Sequence, residues 1–328
     1  MSRPKILLVS LGGTITMTRN SAGGITPTLS AADLARAVSG IDAIAEIETV
    51  SPMTVPGASL SIDNILAVAT LIDKRVADGV DGIVVIQGTD TIEETAFVLD
   101  LVVQSERPVV VTGAMRGPQA PGADGPANLL ASVLVAAAPD ARGAGALVVL
   151  NDEIHAARFV QKSHTALPSA FTSPLAGPLG LVAEGRPHFR FRLVNRPRPI
   201  PFASGADAPV ALIRMGLGDD GRMLRQLHGL GYRGVVLEGM GAGHVPAIVA
   251  PIISELVASM PVVLGTRVHT GPAFRSTYAF PGSEIDLIQR GAIPAGDLSS
   301  LKARLLLSLL LRSDPDRHTL EEAFGAYA

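Results

Sequence analysis

The fold of this chain is constrained most by short, nearly uninterrupted runs of aliphatic residues, each ended by glycine or by a polar residue. The first half of the chain contains four of them, at residues 5–11, 82–87, 108–112 and 145–150. Such runs are typical of strands that are buried on both faces of a parallel sheet. Aromatic residues make up only 4% of the chain, so the expected core is aliphatic.

Segments with helical character separate these runs. Apolar side chains recur at helical spacing over residues 62–77. Thr91 and Glu94 have the spacing of a capping box, which predicts a helix to about Val103. Asp124 or a near neighbour is expected to cap another helix over residues 126–138. This strand–helix alternation predicts an α/β fold whose larger, N-terminal part is a mostly parallel, doubly wound sheet.

A proline-rich, basic stretch over residues 187–209 indicates a domain boundary. We predict an N-terminal catalytic domain at 1–190, a linker at 191–209, and a smaller C-terminal α/β domain at 210–328. In the second half, strands are expected at 210–214, 234–237 and 261–264, and helices at 221–230, 245–258, 298–311 and near Glu321.

Composition excludes several classes of protein. The formal net charge of −3 lacks the basic field that nucleic-acid binding requires, so no nucleic-acid partner is expected. Without cysteine the chain has no disulfide, thiolate metal site or cysteine nucleophile. No apolar run reaches the ~18 residues of a membrane helix, and the first run is too short for a signal peptide. We therefore expect a cytoplasmic enzyme without a membrane partner.

Three polar segments follow or face the predicted strand ends, where α/β folds bind ligands. Thr14 follows Gly12-Gly13, and Thr89-Asp90 lies at the mouth of a helix, where free N–H groups suit an oxyanion. Lys162 becomes interesting only if it reaches Thr89, because a desolvated lysine beside a hydroxyl can serve as a base, with Asp90 as its orienting group.

Each of these segments also has a simpler interpretation. Gly12-Gly13 is equally compatible with a plain tight turn, and its spacing lacks the third glycine of a dinucleotide loop. Thr89 and Asp90 are ordinary N-cap residues, although that explains only one of the polar side chains there. A lone lysine such as Lys162 is most often a solvated surface charge.

Several segments together resemble the bacterial-type L-asparaginases. They occur in the order and spacing of that family and lie at residues 6–15, 82–95, 108–116, around Lys162 and at 265–271. The similarity spans nearly the whole chain. It implies hydrolysis of L-asparagine to L-aspartate and ammonia through a threonine acyl-enzyme, with no metal and no other cofactor.

The resemblance also implies roles for individual residues. Thr14 matches the nucleophile on the first loop, and Thr89, Lys162 and Asp90 match a buried hydroxyl–amine–carboxylate set. Asp90 would also hold the substrate α-amino group. The backbone N–H groups of the two threonines would form the oxyanion hole, and the Ala114 carbonyl would receive the substrate amide. Which threonine attacks first is left open.

The family assembles as tetramers built from intimate dimers, in which a neighbouring C-terminal domain completes each site. The chain departs from the family on the loop at residues 17–28, which lacks the usual tyrosine but keeps Gly23-Gly24 as a hinge. We hypothesise that Tyr278 of a neighbour supplies the missing hydroxyl. The alternative is an amphipathic interface tyrosine.

Two further departures concern the groups that hold the substrate. Ala58-Ser59 replaces the family's serine–glutamine pair, and His244 falls near the family's partner-subunit asparagine. His244 either contacts substrate or caps the following helix. The full set of predicted substrate-binding residues is Ala58, Ser59, Gly88, Ala114, His244 and Tyr278. These changes affect affinity and the choice between asparagine and glutamine, because one methylene gives only about 1–3 kcal/mol of discrimination.

The sequence also bears on several alternative functions. The nearest alternative is a glutaminase-asparaginase or another amidohydrolase of the same fold. An amidotransferase subunit acting on charged tRNA would need an additional N-terminal module and a basic surface. A non-enzymatic binding protein should have lost part of the threonine, aspartate and lysine set. A zinc hydrolase is disfavoured because His155 and His164 lack paired helical spacing.

Overall fold

The computed structural model describes residues 3–19, 25–27, 29–202 and 207–327. Contacts along the chain divide it into two compact units, 1–199 and 200–328. In the part that the structure describes, no helix combines the length and the apolar character needed to cross a membrane.

The N-terminal unit is built on one eight-stranded sheet. Its strands and those of two small ribbons are β1 (Lys5–Ser10), β2 (Met17–Arg19), β3 (Ile25–Pro27), β4 (Glu46–Val50), β5 (Gly82–Ile86), β6 (Val109–Thr112), β7 (Ala146–Leu150), β8 (Glu153–Ala156), β9 (Gln161–Lys162), β10 (Phe171–Thr172), β11 (Gly180–Ala183) and β12 (Arg186–Phe189). The order in the sheet is β12-β11-β8-β7-β6-β5-β1-β4. Strands β4, β1, β5, β6 and β7 run parallel, whereas β8, β11 and β12 extend the sheet in antiparallel fashion.

Helices cover both faces of this sheet, as a doubly wound arrangement requires. They are α1 (Ala31–Ala37), α2 (Ile41–Ile44), α3 (Ile62–Ala77), α4 (Ile92–Val102) and α5 (Gly125–Ala137). On one face Ile6, Leu8 and Val84 of the strands join Leu129 and Val133 of α5 in a buried aliphatic core. On the other face α4 packs against β6, β7 and α3. The prediction of an α/β fold with a mostly parallel sheet is confirmed.

Two predicted helix caps are wrong. The Thr91 side chain makes no capping hydrogen bond. Its hydroxyl instead donates to the Gly57 carbonyl and accepts from the Gln87 amide. Asp124 occupies the N-cap position of α5, but its carboxylate accepts from the backbone N–H groups of residues 115 and 116 instead of from those of the first helical turn. In both cases a contact with another loop competes successfully for the polar side chain.

The C-terminal unit contains a parallel four-stranded sheet, β13-β14-β15-β16. Its elements are β13 (Val210–Arg214), β14 (Gly234–Gly239), α6 (Ala250–Val257), β15 (Val262–Thr266), α7 (Glu284–Gln289), β16 (Ile293–Pro294), α8 (Ser300–Leu310) and α9 (Arg317–Gly325).

The predicted helix at 221–230 is wrong, because only a 3-10 turn at Leu224–Gln226 forms there. Gly221 and Gly231 have positive φ angles, so the backbone turns at both ends of the segment. The helix predicted over 245–258 is shortened to α6, whose second residue is Pro251. A proline in the first turn marks where a helix begins rather than continues.

Candidate functional site

Three glycines bring the loops of the candidate site together by contact between backbones. A Cβ at Gly13 would lie 2.0 Å from the Gly88 nitrogen, and one at Gly57 would lie 2.9 Å from the Gly88 carbonyl oxygen. Gly88 therefore lies between the loop after β1 and the 3-10 turn at Gly57–Ser59. Only glycine permits this approach, so the sequence brings the segments that bear Thr14, Ser59 and Thr89 to one edge of the sheet.

Thr89, Lys162 and Asp90 are in direct contact. Lys162 Nζ donates to Thr89 Oγ1 at 3.0 Å and to Asp90 Oδ1 at 2.9 Å. Thr89 is buried, and the lysine side chain is 18% exposed, whereas the Asp90 side chain is 63% exposed. Lys162 therefore reaches Thr89, which is the contact that a role as its base requires. The hydroxyl, amine and carboxylate form a chain that runs from the protein interior to the open side of the site.

Lys162 is held in place from two sides. It lies on β9, which pairs with β10 so that Lys162 faces Phe171. Its backbone N–H donates to Glu93 Oε1, on the first turn of α4, at 3.1 Å. Glu93 was not singled out from the sequence, since its partner is 69 residues away and no local pattern indicates it.

A polar cavity of about 520 Å³ opens beside this chain of contacts. It is lined by Asp90, Lys162, Ser163, His164 and Thr165. His164 Nδ1 accepts hydrogen bonds from the N–H groups of Ala166 and Leu167, which fixes the turn that borders the cavity. The cavity provides more than enough room for a small amino acid.

Ala114 lies on the loop after β6 and is almost completely buried. The loop reaches the candidate site because a Cβ at Gly113 would approach the Gln87 carbonyl oxygen at 2.5 Å and Thr89 Cγ2 at 3.4 Å. Ala114 therefore follows a residue that touches the Thr89 turn.

For the remaining predicted residues of this unit, the described part of the structure gives no side-chain contact with Thr89, Asp90 or Lys162. Ala58 and Ser59 are both exposed on their turn. Thr14 begins a short 3-10 turn at Thr14–Thr16, but its side chain lies outside the described part of the structure. The same holds for the proposed hinge at Gly23-Gly24.

His244 and Tyr278 belong to the C-terminal unit and pack against each other. Their ring centroids are 4.9 Å apart in an edge-to-face arrangement. Both are held by Glu284, which is fully buried. Glu284 accepts from the N–H groups of Thr277 and Tyr278, and its other oxygen lies 3.1 Å from His244 Nε2. The alternative of His244 as a helix cap is wrong, because α6 begins only at Ala250.

Glu284 was also missed from the sequence. Burial raises the pKa of this carboxyl, but hydrogen bonds from Tyr278 and Thr277 and then from His244 outweigh it, so the pKa lies below its usual value. Glu284 therefore stays charged although it is buried. A single glutamate at the start of a short helix carries no signal of such a role.

His155 and His164, the residues weighed for a zinc site, lie in different environments. His155 is buried on β8, where its Nδ1 lies 3.0 Å from Ser173 Oγ. Burial lowers the pKa of His155 to about 4, so the ring is neutral at neutral pH. His164 is exposed at the cavity.

Comparisons with known proteins agree with this geometry. Residues 5–195 match the family model of the asparaginase N-terminal domain, and residues 209–324 match that of the glutaminase/asparaginase C-terminal domain. An L-asparaginase from Bacillus licheniformis is 34% identical, with 94% of this chain and 96% of that protein covered. A glutaminase-asparaginase from Pseudomonas fluorescens biotype A is 31% identical, with 98% and 90% covered.

A crystal structure described as a probable cytoplasmic L-asparaginase from Campylobacter jejuni is also similar. Its TM-score is 0.86 at 32% identity, and the match covers 98% of this chain and 99% of that chain. The two family models together cover most of both domains. The chain belongs to the asparaginase family.

Proposed function

We propose that the protein hydrolyses the side-chain amide of L-asparagine to L-aspartate and ammonia. The contact of Lys162 with both Thr89 and Asp90 carries the proposal. A threonine hydroxyl is a poor nucleophile until a base removes its proton, and this arrangement places an amine at hydrogen-bond distance from the hydroxyl. Membership of the asparaginase family supports the same reaction.

In this reaction a threonine oxygen attacks the amide carbon, and Lys162 takes the hydroxyl proton. The N–H groups of Thr14 and Thr89 stabilise the oxyanion, which collapses to a threonine ester as the nitrogen accepts the proton and leaves as ammonia. Water then attacks the ester, releasing L-aspartate and the free threonine. Asp90 orients Lys162 and binds the substrate α-amino group, and the Ala114 carbonyl accepts from the amide. Thr14 is the nucleophile that the family resemblance favours, and Thr89 is the other candidate.

The test is ammonia release from L-asparagine, D-asparagine and L-glutamine. Thr14→Val and Thr89→Val remove a hydroxyl at nearly constant volume, and Thr14→Ser and Thr89→Ser are the matched controls that keep it. We expect each valine variant to lose about 10³-fold or more in kcat, in the range of a lost nucleophile or base, while the serine variants stay active. Peptide masses from rapidly quenched and digested enzyme identify the threonine that carries the ester. A folded wild type that releases no ammonia from L-asparagine would refute the proposal.

Glutamine hydrolysis is the second candidate activity. A relative is named a glutaminase-asparaginase, and glutamine is only one methylene longer than asparagine. We expect glutamine to be the poorer substrate, by up to about 100-fold in kcat/KM for one methylene. Equal rates for the two amides would make the protein a glutaminase-asparaginase.

We further propose a homotetramer of intimate dimers, in which His244 and Tyr278 of a neighbouring C-terminal domain, residues 210–328, complete each site. Light scattering should give four times the chain mass of 33.9 kDa. Co-expressed Thr89→Val and His244→Ala chains should recover activity that neither variant has alone, since one site of a mixed dimer then keeps both residues. Failure to recover activity in isolated mixed dimers would mean that each chain completes its own site.

Two expectations from the sequence enter the proposal unchanged. The reaction uses no metal and no other cofactor, so dialysis against EDTA should leave kcat unaltered. The protein is expected in the cytoplasm, which cell fractionation tests directly. Tight binding of L-asparagine without turnover would favour a non-enzymatic binding protein on this fold.

A further inference from the structure

The start of α5 holds the loop that bears Ala114 through side-chain hydrogen bonds. Asp124 Oδ2 accepts from the Met115 N–H at 2.9 Å, and Oδ1 accepts from the Arg116 N–H at 2.8 Å. Both oxygens of one carboxylate thus bind two successive amides on the C-terminal side of Ala114. This is the contact that replaces the predicted helix cap.

Asn128, one turn further along α5, holds the other side of the same loop. Its Nδ2 donates to the Gly113 carbonyl at 3.0 Å and to Asp124 Oδ2 at 3.1 Å, while its Oδ1 accepts from the Asn151 N–H at 2.9 Å. The side chain is buried, and each end of its amide has a partner. Asn128 therefore connects the ends of β6 and β7 as well as the two sides of Ala114.

The same turn of the helix also supports the first loop. A Cβ at Gly125 would lie 2.9 Å from Ile15 Cγ1, so the helix backbone packs directly against the neighbour of Thr14. Ile15 is buried. One helical turn thus contacts both the segment that bears Thr14 and the segment that bears Ala114.

We propose that Asp124 and Asn128 are positioning residues that aim the Ala114 carbonyl at the leaving nitrogen of the substrate. This inference rests on the proposed amide hydrolysis and goes beyond it, since neither residue touches the reacting atoms. Two amides and one carbonyl flanking Ala114 are held by side chains at the start of α5. Such fixation matters because a displacement of about 1 Å at a reacting group can cost about 10²-fold in rate.

The role predicts a difference between amide and ester substrates. The amide nitrogen of asparagine bears hydrogens that the Ala114 carbonyl can accept, whereas the leaving oxygen of aspartate β-methyl ester bears none. Both substrates pass through the same threonine ester, losing ammonia in one case and methanol in the other. A change that moves only Ala114 should therefore slow amide hydrolysis and spare ester hydrolysis.

The experiment compares kcat/KM for L-asparagine and for aspartate β-methyl ester, because kcat/KM includes acylation for both. For Asp124→Ala we expect a loss of about tenfold on the amide, the rate equivalent of one hydrogen bond, and less than about threefold on the ester. Asp124→Asn keeps one acceptor oxygen and should lie between Asp124→Ala and wild type. Ser132→Ala is the matched control, since it removes a buried hydrogen bond to the Asn128 carbonyl on the same helix without touching the loop.

The outcomes separate the two proposals. A wild type that hydrolyses asparagine, with Asp124 variants that lose equally on amide and ester, overturns the positioning role and leaves the proposed function intact. The role is also overturned if Ser132→Ala changes the amide-to-ester ratio as much as Asp124→Asn does. A wild type inactive on both substrates overturns the proposed function and this inference with it. If Asp124→Ala does not fold, the milder Asp124→Asn and an Asn128→Ser variant give the same comparison.

Discussion

Replacing Gly13 by alanine should lower both the stability of the protein and its activity. Gly13 has a φ angle of +91°, and an added Cβ would lie 2.0 Å from the Gly88 nitrogen and 2.3 Å from its Cα. Ordinary contacts of a Cβ begin at 3.4 Å. The neighbouring atoms are backbone, so they cannot yield by a change of rotamer. The two loops must therefore separate by more than about 1 Å, a displacement for which rate losses of about 10²-fold are typical.

The expected loss of stability in Gly13→Ala is the sum of two contributions. An alanine in the left-handed region costs about 1–2 kcal/mol in stability, and overpacking at a rigid contact adds about 1–3 kcal/mol. Gly79 supplies the control, because it has a φ of +98° and nothing within 4 Å of an added Cβ. Gly79→Ala should therefore show only the first cost and keep full activity.

The assay combines urea unfolding with kcat for ammonia release from L-asparagine. We expect Gly13→Ala to lose about 2–5 kcal/mol in the free energy of unfolding and at least about 10²-fold in kcat, against about 1–2 kcal/mol and no loss of kcat for Gly79→Ala. If Gly13→Ala is no less stable than Gly79→Ala, the loops do not touch as described. If its kcat equals that of wild type, their contact does not set the geometry of the site.

Three further changes test other contacts. Glu93→Ala should lower kcat by about tenfold by freeing the Lys162 N–H, with a circular dichroism spectrum like that of wild type. His155 has a pKa lowered to about 4, so unfolding binds a proton between pH 4 and 6.5 and stability falls as the pH decreases through that range. Between pH 7.5 and 4.5, the free energy of unfolding of His155→Gln should therefore fall by about 2–3 kcal/mol less than that of the wild type, as measured by urea unfolding. Glu284→Gln should cost about 1–3 kcal/mol in stability at neutral pH, measured by urea unfolding, because two backbone N–H groups and His244 lose a charged acceptor; an unchanged free energy of unfolding would contradict that account.

The parallel strands of the core could be predicted from the sequence for a physical reason. Buried parallel strands must be aliphatic over their whole length, so runs such as 82–86 are recognisable without knowledge of their partners. The antiparallel extension was not predicted, because strands such as β11 and β12 are short and only partly buried. β11 joins the sheet by pairing with β8, and β12 joins it by pairing with β11, which the sequence of neither strand shows.

The same distinction applies to the candidate site. Thr89 and Asp90 are predicted because they follow a recognisable strand end. Lys162 is a candidate only on the condition that it reaches Thr89, and the family resemblance supports it. Asp124 or a near neighbour is expected to cap the helix, since an aspartate before a helix predicts a cap whenever no competing donor is visible. The competing partners are the amides at 115 and 116, which only the fold brings close. The roles proposed for all of these residues stay predictions until the variants are measured.

In the proposed site, chemistry and substrate choice depend on different kinds of contact. The loops of the hydrolytic centre meet through backbone at Gly13, Gly57 and Gly88, where a side chain of any size would overlap a neighbouring loop. The groups that depart from the family pattern, by contrast, are side chains such as the exposed Ser59 and the half-exposed Tyr278, which can change without moving the backbone. Substitution there alters discrimination between substrates by about 1–3 kcal/mol for each methylene, and leaves the threonine and lysine where they are. A chain of this family can therefore change its preferred amide by a few surface substitutions, whereas a change of reaction would require rebuilding the contacts between three loops.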